Sequence, residues 1–307
     1  MDLPEVLFEI TRLKQERRAV ILAHNYQIPE VQDLADYRGD SLGLAIEAAK
    51  TDARVIVLCG VHFMAETCAI LSPDRTVLLP EREAGCPMAD MITAEDVISL
   101  RSEHPGATVV AYVNTSAAVK AESDYCCTSA NAAAVVSACP PGPVIFVPDR
   151  NLGAHAAKIA GRELILYPGF CPTHERLTAE DIQQARTEHP DAMVIVHPEC
   201  RSKVRELADA VLSTGGMDAF VKKSGAPAYI VGTECGMLYP LGKLNPGVSF
   251  YLPGSNQMLC PNMKLTTAVS VMRALETTVE KIIVPQEIAA RARKAIERMM
   301  QIGRREK

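Results

Sequence analysis

The chain has 307 residues, 48% of them apolar, and a net charge of −5, which suits a buried core divided over two or three domains and excludes a general electrostatic grip on nucleic-acid phosphates. It has no tryptophan, and its 8 tyrosines and 6 phenylalanines do not cluster in a basic segment, so a base-stacking surface is not expected either. The opening Met1-Asp2-Leu3-Pro4 has neither a basic nor an apolar leader segment and no apolar run reaches the roughly 18 residues that span a bilayer, so the chain reads as cytoplasmic, without membrane or nucleic-acid partners, and its ten cysteines as thiols, metal ligands or packing residues rather than a secreted disulfide framework.

In chain order, Pro4-Glu5 opens a helix that runs through Leu13 into a strand at Ala19-Val20-Ile21-Leu22-Ala23. Further strands are predicted at Arg54–Leu58 and Thr76–Leu79, and Cys86-Pro87 closes the segment. Thr93-Ala94-Glu95-Asp96 then starts a helix with a threonine cap and acids in its first turn, and Glu103-His104-Pro105 ends it before the β-branched run Thr108-Val109-Val110. Strands at Val144–Val147 and Glu163–Leu166 lead to Cys171-Pro172. The pattern returns as Thr178-Ala179-Glu180-Asp181, Glu188-His189-Pro190 and Met193-Val194-Ile195, followed by strands at Ala228–Val231 and Val248–Tyr251 and by Cys260-Pro261. After that, Thr266-Thr267 opens another helix, Ile282–Val284 is strand-like, and Ile288–Ile302 is helical. This tail resembles the start of a fourth unit that never completes.

Each unit thus reads helix, strand, loop, helix, strand, helix, strand, Cys-Pro. The apolar runs do not alternate, which argues for parallel strands covered on both faces. The expected fold is α/β: three α/β/α sandwich domains related by a pseudo-threefold axis, each with a short parallel sheet, around a central metal site. The expected boundaries are 1–92, 93–177 and 178–265, with 266–307 as a helical tail packing back on the repeats. A single (β/α) barrel also suits about 300 residues, but gives no reason for a period near 87.

The repeat selects functional positions. Cys86, Cys171 and Cys260 deliver one soft ligand per unit. His24, Tyr112 and His197 follow the first strand of each unit at intervals of 88 and 85, at the carboxyl end where parallel sheets bind ligands. Ser41, Ser129 and Thr214 keep the same intervals and open Ala- or Gly-rich stretches, where a hydroxyl beside free N–H groups suits carboxylate or phosphate oxygens. Each of these three could equally be a plain helix cap. Cys59, Cys68, Cys126, Cys127, Cys139, Cys200 and Cys235 read as packing residues, and His104 and His189 as caps of helix C-termini.

Cys171-Pro172-Thr173-His174 leaves two readings side by side. Three thiolates and His174 could close a structural zinc site, making the protein a sensor module. Alternatively the thiolates hold an iron–sulfur cluster with one open iron, and His174 beside it serves as acid, base or hydrogen-bond donor. An aconitase-like hydro-lyase is a further possibility within the cluster reading.

His24-Asn25-Tyr26-Gln27, Gly39-Asp40-Ser41, Tyr112-Val113-Asn114, Gly169-Phe170-Cys171-Pro172-Thr173-His174, His197-Pro198-Glu199 and Cys260-Pro261-Asn262-Met263-Lys264 together resemble the quinolinate synthase family over about residues 19 to 285. The resemblance implies an oxygen-sensitive [4Fe-4S] cluster on Cys86, Cys171 and Cys260 with one open iron. It implies condensation of iminoaspartate with dihydroxyacetone phosphate to quinolinate in NAD biosynthesis, and transient contact with L-aspartate oxidase as a partner expectation. On this basis Tyr112, Asn114 and Ser129 would bind the carboxylates of the iminoaspartate half, and Ser41 and Thr214 would take phosphate or carboxylate oxygens. His24 and Tyr26 would transfer protons, and Glu199 with His197 would act as general base. Some members carry a Cys-x-x-Cys pair at the third ligand; here the second position is Met263, so that redox switch is expected to be missing.

Overall fold

The computed structural model describes residues 2–254 and 258–302. The first unit contains α1 (Leu3–Arg17), β1 (Ala19–His24), α2 (Pro29–Leu34), β2 (Tyr37–Gly39), α3 (Ser41–Lys50), β3 (Val55–Cys59), α4 (His62–Leu71) and β4 (Thr76–Leu78). The second contains α5 (Ala94–Glu103), β5 (Thr108–Tyr112), α6 (Ala117–Ala121), β6 (Tyr125–Cys127), α7 (Ala132–Ala138), β7 (Val144–Val147), α8 (Arg150–Ala160) and β8 (Ile165–Leu166). The third follows a one-turn helix, α9 (Pro172–Glu175), and contains α10 (Ala179–Glu188), β9 (Met193–Val196), α11 (Ser202–Glu206), β10 (Ala210–Val211), α12 (Thr214–Ser224), β11 (Ala228–Gly232), α13 (Leu238–Leu244) and β12 (Ser249–Tyr251). Two helices, α14 (Ala268–Thr277) and α15 (Gln286–Ile302), end the described chain.

The architecture is three separate parallel sheets of four strands, ordered β2-β1-β3-β4, β6-β5-β7-β8 and β10-β9-β11-β12. This is the expected α/β class, and it replaces the barrel alternative. The expected three strands per unit become four, because β2, β6 and β10 add an edge to each sheet. These strands are only two or three residues long and include Tyr37-Arg38-Gly39, so no apolar run announces them.

An aspartate fixes each added edge. Asp36, Asp124 and Asp209 accept the N–H of Ile21, Val109 and Val194 at 2.8, 2.8 and 2.7 Å, which turns the chain alongside the first strand. Lys14, Arg101 and Arg186, from the helix before that strand, pair with the same carboxylates at 2.6, 2.7 and 3.0 Å. The carboxylate thereby satisfies a strand N–H that the short edge leaves unpaired.

Alternate strand residues face two environments. Val20, Leu22, Ile56 and Leu58 of the first sheet, Val110 and Phe146 of the second, and Ile195, Tyr229 and Val231 of the third join one central cluster. Ile21, Ala23, Val55 and Val57 pack instead under α1 and α14. The second and third sheets have equivalent outer clusters around Val97 of α5 and Ile182 of α10. The shared central cluster brings the inner faces of the three sheets together and so fixes how they converge.

Thr93 and Thr178 cap α5 and α10 with capping boxes to Asp96 and Asp181, and His104 and His189 occupy the C-caps, as the sequence indicated. The tail does not begin a fourth unit. Residues 280–282 run antiparallel to the edge strand β4, with Leu79 N–H bonded to the Glu280 carbonyl at 3.0 Å and Ile282 N–H to the Val77 carbonyl at 2.9 Å, because that edge offers unpaired backbone groups. Helix α15 buries Ala292, Ala295, Ile296 and Met299 against α4, α6 and β6, so it ties the first unit to the second.

Candidate active site

In a 2-1-3-4 parallel sheet the connections leave the first strand in opposite directions, and a crevice opens at the carboxyl ends of its first two central strands. The three crevices meet in one cavity. Its wall receives His24 and Tyr26 from the end of β1, Tyr112 and Asn114 from β5, and His197 and Glu199 from β9. Ser41, Ser129 and Thr214 line it from the next loops, and Cys86, Cys171 and Cys260, with His174, from the segments that close each unit. Every site residue singled out in the sequence faces this cavity.

The hydroxyls are not helix caps. Asp40 caps α3 through Gly43 N–H, and Ser213 caps α12 through Gly216 N–H, which leaves Ser41 and Thr214 at the first helical position. Ser129 departs from the expected helix start: α7 begins at Ala132, because Asn131 Oδ1 accepts the Thr128 N–H at 2.8 Å and holds residues 128–131 in a turn. Thr214 Oγ1 accepts from Asn25 Nδ2 at 3.0 Å, which joins the third unit to the first and leaves the hydroxyl proton for a ligand.

His24 and His197 occupy equivalent places and make the same local bond. Tyr26 N–H donates to His24 Nδ1 at 3.1 Å, and Glu199 N–H to His197 Nδ1 at 3.4 Å. For His24 this fixes the proton on Nε2, so the neutral ring presents a donor. Burial lowers its pKa to about 3, reinforced by His197 and Lys264. Burial likewise lowers the pKa of His197, against the pull of Glu199.

Glu199 is the buried anion. Burial alone would raise its pKa, but His197 and His174 outweigh that and hold it well below the usual carboxylate range. Its Oε2 lies 2.7 Å from His174 Nδ1 and 3.4 Å from His197 Nδ1, whereas Oε1 is buried without a hydrogen-bond partner, as is Asn114 Oδ1. A polar atom left so is costly unless a ligand meets it. Burial, with the nearby Glu199 charge, raises the pKa of the Tyr26 and Tyr112 phenols well above 10, so both remain donors.

Sequence reasoning missed four residues. Thr233 Oγ1 lies 2.6 Å from the Tyr26 hydroxyl and 2.9 Å from His174 Nε2, and so bridges the first unit to Glu199 through His174. Asp149 and Glu234, at the ends of β7 and β11, are fully buried. Lys264 pairs with Glu234 at 2.9 Å and donates to the Tyr26 carbonyl. A Cβ on Gly236 would lie 2.8 Å from that carbonyl oxygen, so only glycine admits the approach. The available signal was the repeat itself, since Asp149 and Glu234 stand 85 residues apart.

All ten cysteines are free thiols. Cys86, Cys171 and Cys260 are partly buried at the cavity wall, and burial pushes the Cys86 thiol up to about 12. Among the described residues the one trio of metal-capable atoms within 4.8 Å of one another is Cys171, His174 and Glu199. The site therefore holds a group that could bind a metal. Met263 is buried, with Gln27 Nε2 3.5 Å from its sulfur, where the redox pair would need a second thiol.

The sequence pattern described as Quinolinate synthetase A protein matches residues 8–301. The chain belongs to this family. Among relatives, a protein of Geobacter metallireducens named quinolinate synthase is 54% identical over 296 residues, covering 96% of this chain and 97% of its own. Quinolinate synthase of Geotalea uraniireducens is 52% identical over 300 residues, 98% of each chain. Quinolinate synthase of Methanoregula boonei is 54% identical over 292 residues, covering 95% and 96%. Among the described residues no helix is long and apolar enough to cross a membrane.

Proposed function

We propose that the chain is a quinolinate synthase, a cytoplasmic enzyme of NAD biosynthesis that joins iminoaspartate to dihydroxyacetone phosphate and releases quinolinate, inorganic phosphate and two waters. The observation that carries this reading is the convergence of thirteen site residues from three units on one cavity in a chain matched to the family almost end to end. The proposed domain limits are 1–92, 93–177 and 178–265, with 266–307 as the tail.

The donor set fits a [4Fe-4S] cluster on Cys86, Cys171 and Cys260. Ligands of a single tetrahedral zinc lie about 3.8 Å apart for Zn–S bonds of about 2.3 Å, yet these three sulfurs do not gather within 4.8 Å of one another. A cluster takes each cysteine on a different iron and tolerates the wider spacing. Bound with one iron open, it would supply a Lewis acid for loss of water.

The remaining work falls to the chain. Asn114 and the Tyr112 and Ser129 hydroxyls would orient the carboxylates of the iminoaspartate half, and the Ser41 and Thr214 hydroxyls the phosphate or carboxylate oxygens. Such preorganised donors need little reorientation as charge moves. Glu199, ionised and with Oε1 unpartnered, would take a carbon-bound proton next to an imine or carbonyl, with His197 and His174 steadying the carboxylate. His24 Nε2–H and the Tyr26 hydroxyl would serve proton transfer during carbonyl isomerisation and ring closure. Iminoaspartate hydrolyses readily as an imine, which favours delivery through transient contact with L-aspartate oxidase.

Anaerobically purified protein tests this reading. Brown protein with about four irons and four sulfides, forming quinolinate and phosphate from the two substrates, is the expected result. A colourless protein with one zinc, or an intact cluster without quinolinate formation, would overturn it.

A further inference from the structure

Asp149 and Glu234 lie just beyond the ends of β7 and β11, the third strands of their units, and stand one repeat interval apart. Each accepts the backbone N–H of the cysteine that closes its own unit: Cys171 N–H to Asp149 Oδ2 at 3.1 Å and Cys260 N–H to Glu234 Oε1 at 3.1 Å. The other oxygens are also committed. Asp149 Oδ1 accepts the Leu152 N–H at 2.7 Å. Glu234 Oε2 accepts the Gly236 N–H at 2.7 Å and Lys264 Nζ at 3.0 Å. In the first unit the corresponding residue, 88 positions before Asp149, is Val61, which offers no acceptor to Cys86. The loop before Cys171 is drawn in closely: a Cβ on Gly169 would lie 2.6 Å from the Pro148 carbonyl oxygen.

We infer that Asp149 and Glu234 are positioning residues for the metal centre, holding the backbone of Cys171 and Cys260 so that two of the three thiolates are anchored against loss of iron. The inference rests on the cluster reading above. Both oxygens of each carboxylate face N–H donors, so an isosteric amide must turn its own NH2 toward one of them. Groups that orient metal ligands in this way typically affect metal retention by about 10- to 100-fold when changed. A purely capping role would affect only the stability of the following helical turns.

The test compares reconstituted holoprotein with Asp149→Asn, Glu234→Gln and, as a control remote from the cavity, Asp124→Asn. Iron release to a ferrous chelator under anaerobic conditions is measured beside thermal unfolding and the electron paramagnetic resonance of the reduced cluster. Release about ten-fold faster in the first two variants is expected, with altered resonance, whereas Asp124→Asn lowers the unfolding midpoint and keeps the parent release rate. Asp149→Ser retains one oxygen for Leu152 N–H but none for Cys171 N–H, and is expected to release iron faster with the helix intact. Parent-like release in Asp149→Ser and Glu234→Gln would overturn the inference. A parent that takes up no iron and sulfide would instead overturn the cluster reading beneath it.

Discussion

His174 Nδ1 lies 2.7 Å from Glu199 Oε2, and both side chains are almost wholly buried. The two reach each other from different elements, the one-turn helix after Cys171 and the loop after β9, so the contact exists only when the second and third units are docked. It leaves Glu199 with one oxygen held and the other buried without a partner, the arrangement the proposed general base requires.

Glu199→Gln removes the proposed base but keeps its shape. Turnover should fall by about 10²- to 10⁴-fold, the usual share of general-base catalysis, while the visible spectrum and iron content of anaerobic protein stay at parent values. Loss of the spectrum together with turnover would assign Glu199 a structural role.

Thr233→Val leaves the Tyr26 hydroxyl and His174 Nε2 without their shared partner. An unsatisfied buried polar group costs about 1–3 kcal/mol, so unfolding should shift by that order. Turnover should fall at unchanged iron content, and Thr233→Ser, which restores the hydroxyl, should recover most of both. Failure of Thr233→Ser to recover either would show that the bridge does not matter.

The pH dependence of stability follows from His24. Its pKa is about 3 in the folded protein against 6.5 for an ordinary histidine, so between these values the unfolded chain binds more protons. Stability is therefore fully present above about pH 6.5 and declines as pH falls toward 3, by a ceiling of about 5 kcal/mol from this group. His155, lowered to about 4 by burial and by Arg205, acts in the same direction. Denaturant midpoints between pH 7 and 4.5 should fall, and His24→Asn should make the decline shallower. An equal slope in the variant would show that His24 does not carry it.

Thr93→Ala and Thr178→Ala each delete the side chain that caps an equivalent helix. Each should cost about 1 kcal/mol, and because the sites share no partners the double variant should lose about 2 kcal/mol. Chemical denaturation of the three variants measures the sum.

Local signals repeated at a fixed interval are enough for the triplication, the central strands, the capped helices and nine of the cavity residues, whereas Tyr26, Asn114 and Glu199 are reached through the family resemblance and His174 through its place after Cys171. A β-branched run, a threonine three residues before an acid, or a cysteine before a proline reads the same whatever lies across the fold. The edge strands, by contrast, come from packing across the fold: they are too short to announce themselves and exist because Asp36, Asp124 and Asp209 satisfy a neighbouring strand's N–H. The course of the tail was decided the same way, by the open edge of β4 and by the apolar surface that α15 covers. Thr233, Asp149, Glu234 and Lys264 belong to this second class as well. Each matters through a partner distant in sequence, and although Asp149 and Glu234 keep the 85-residue interval, the interval alone does not name the hydrogen bonds they make.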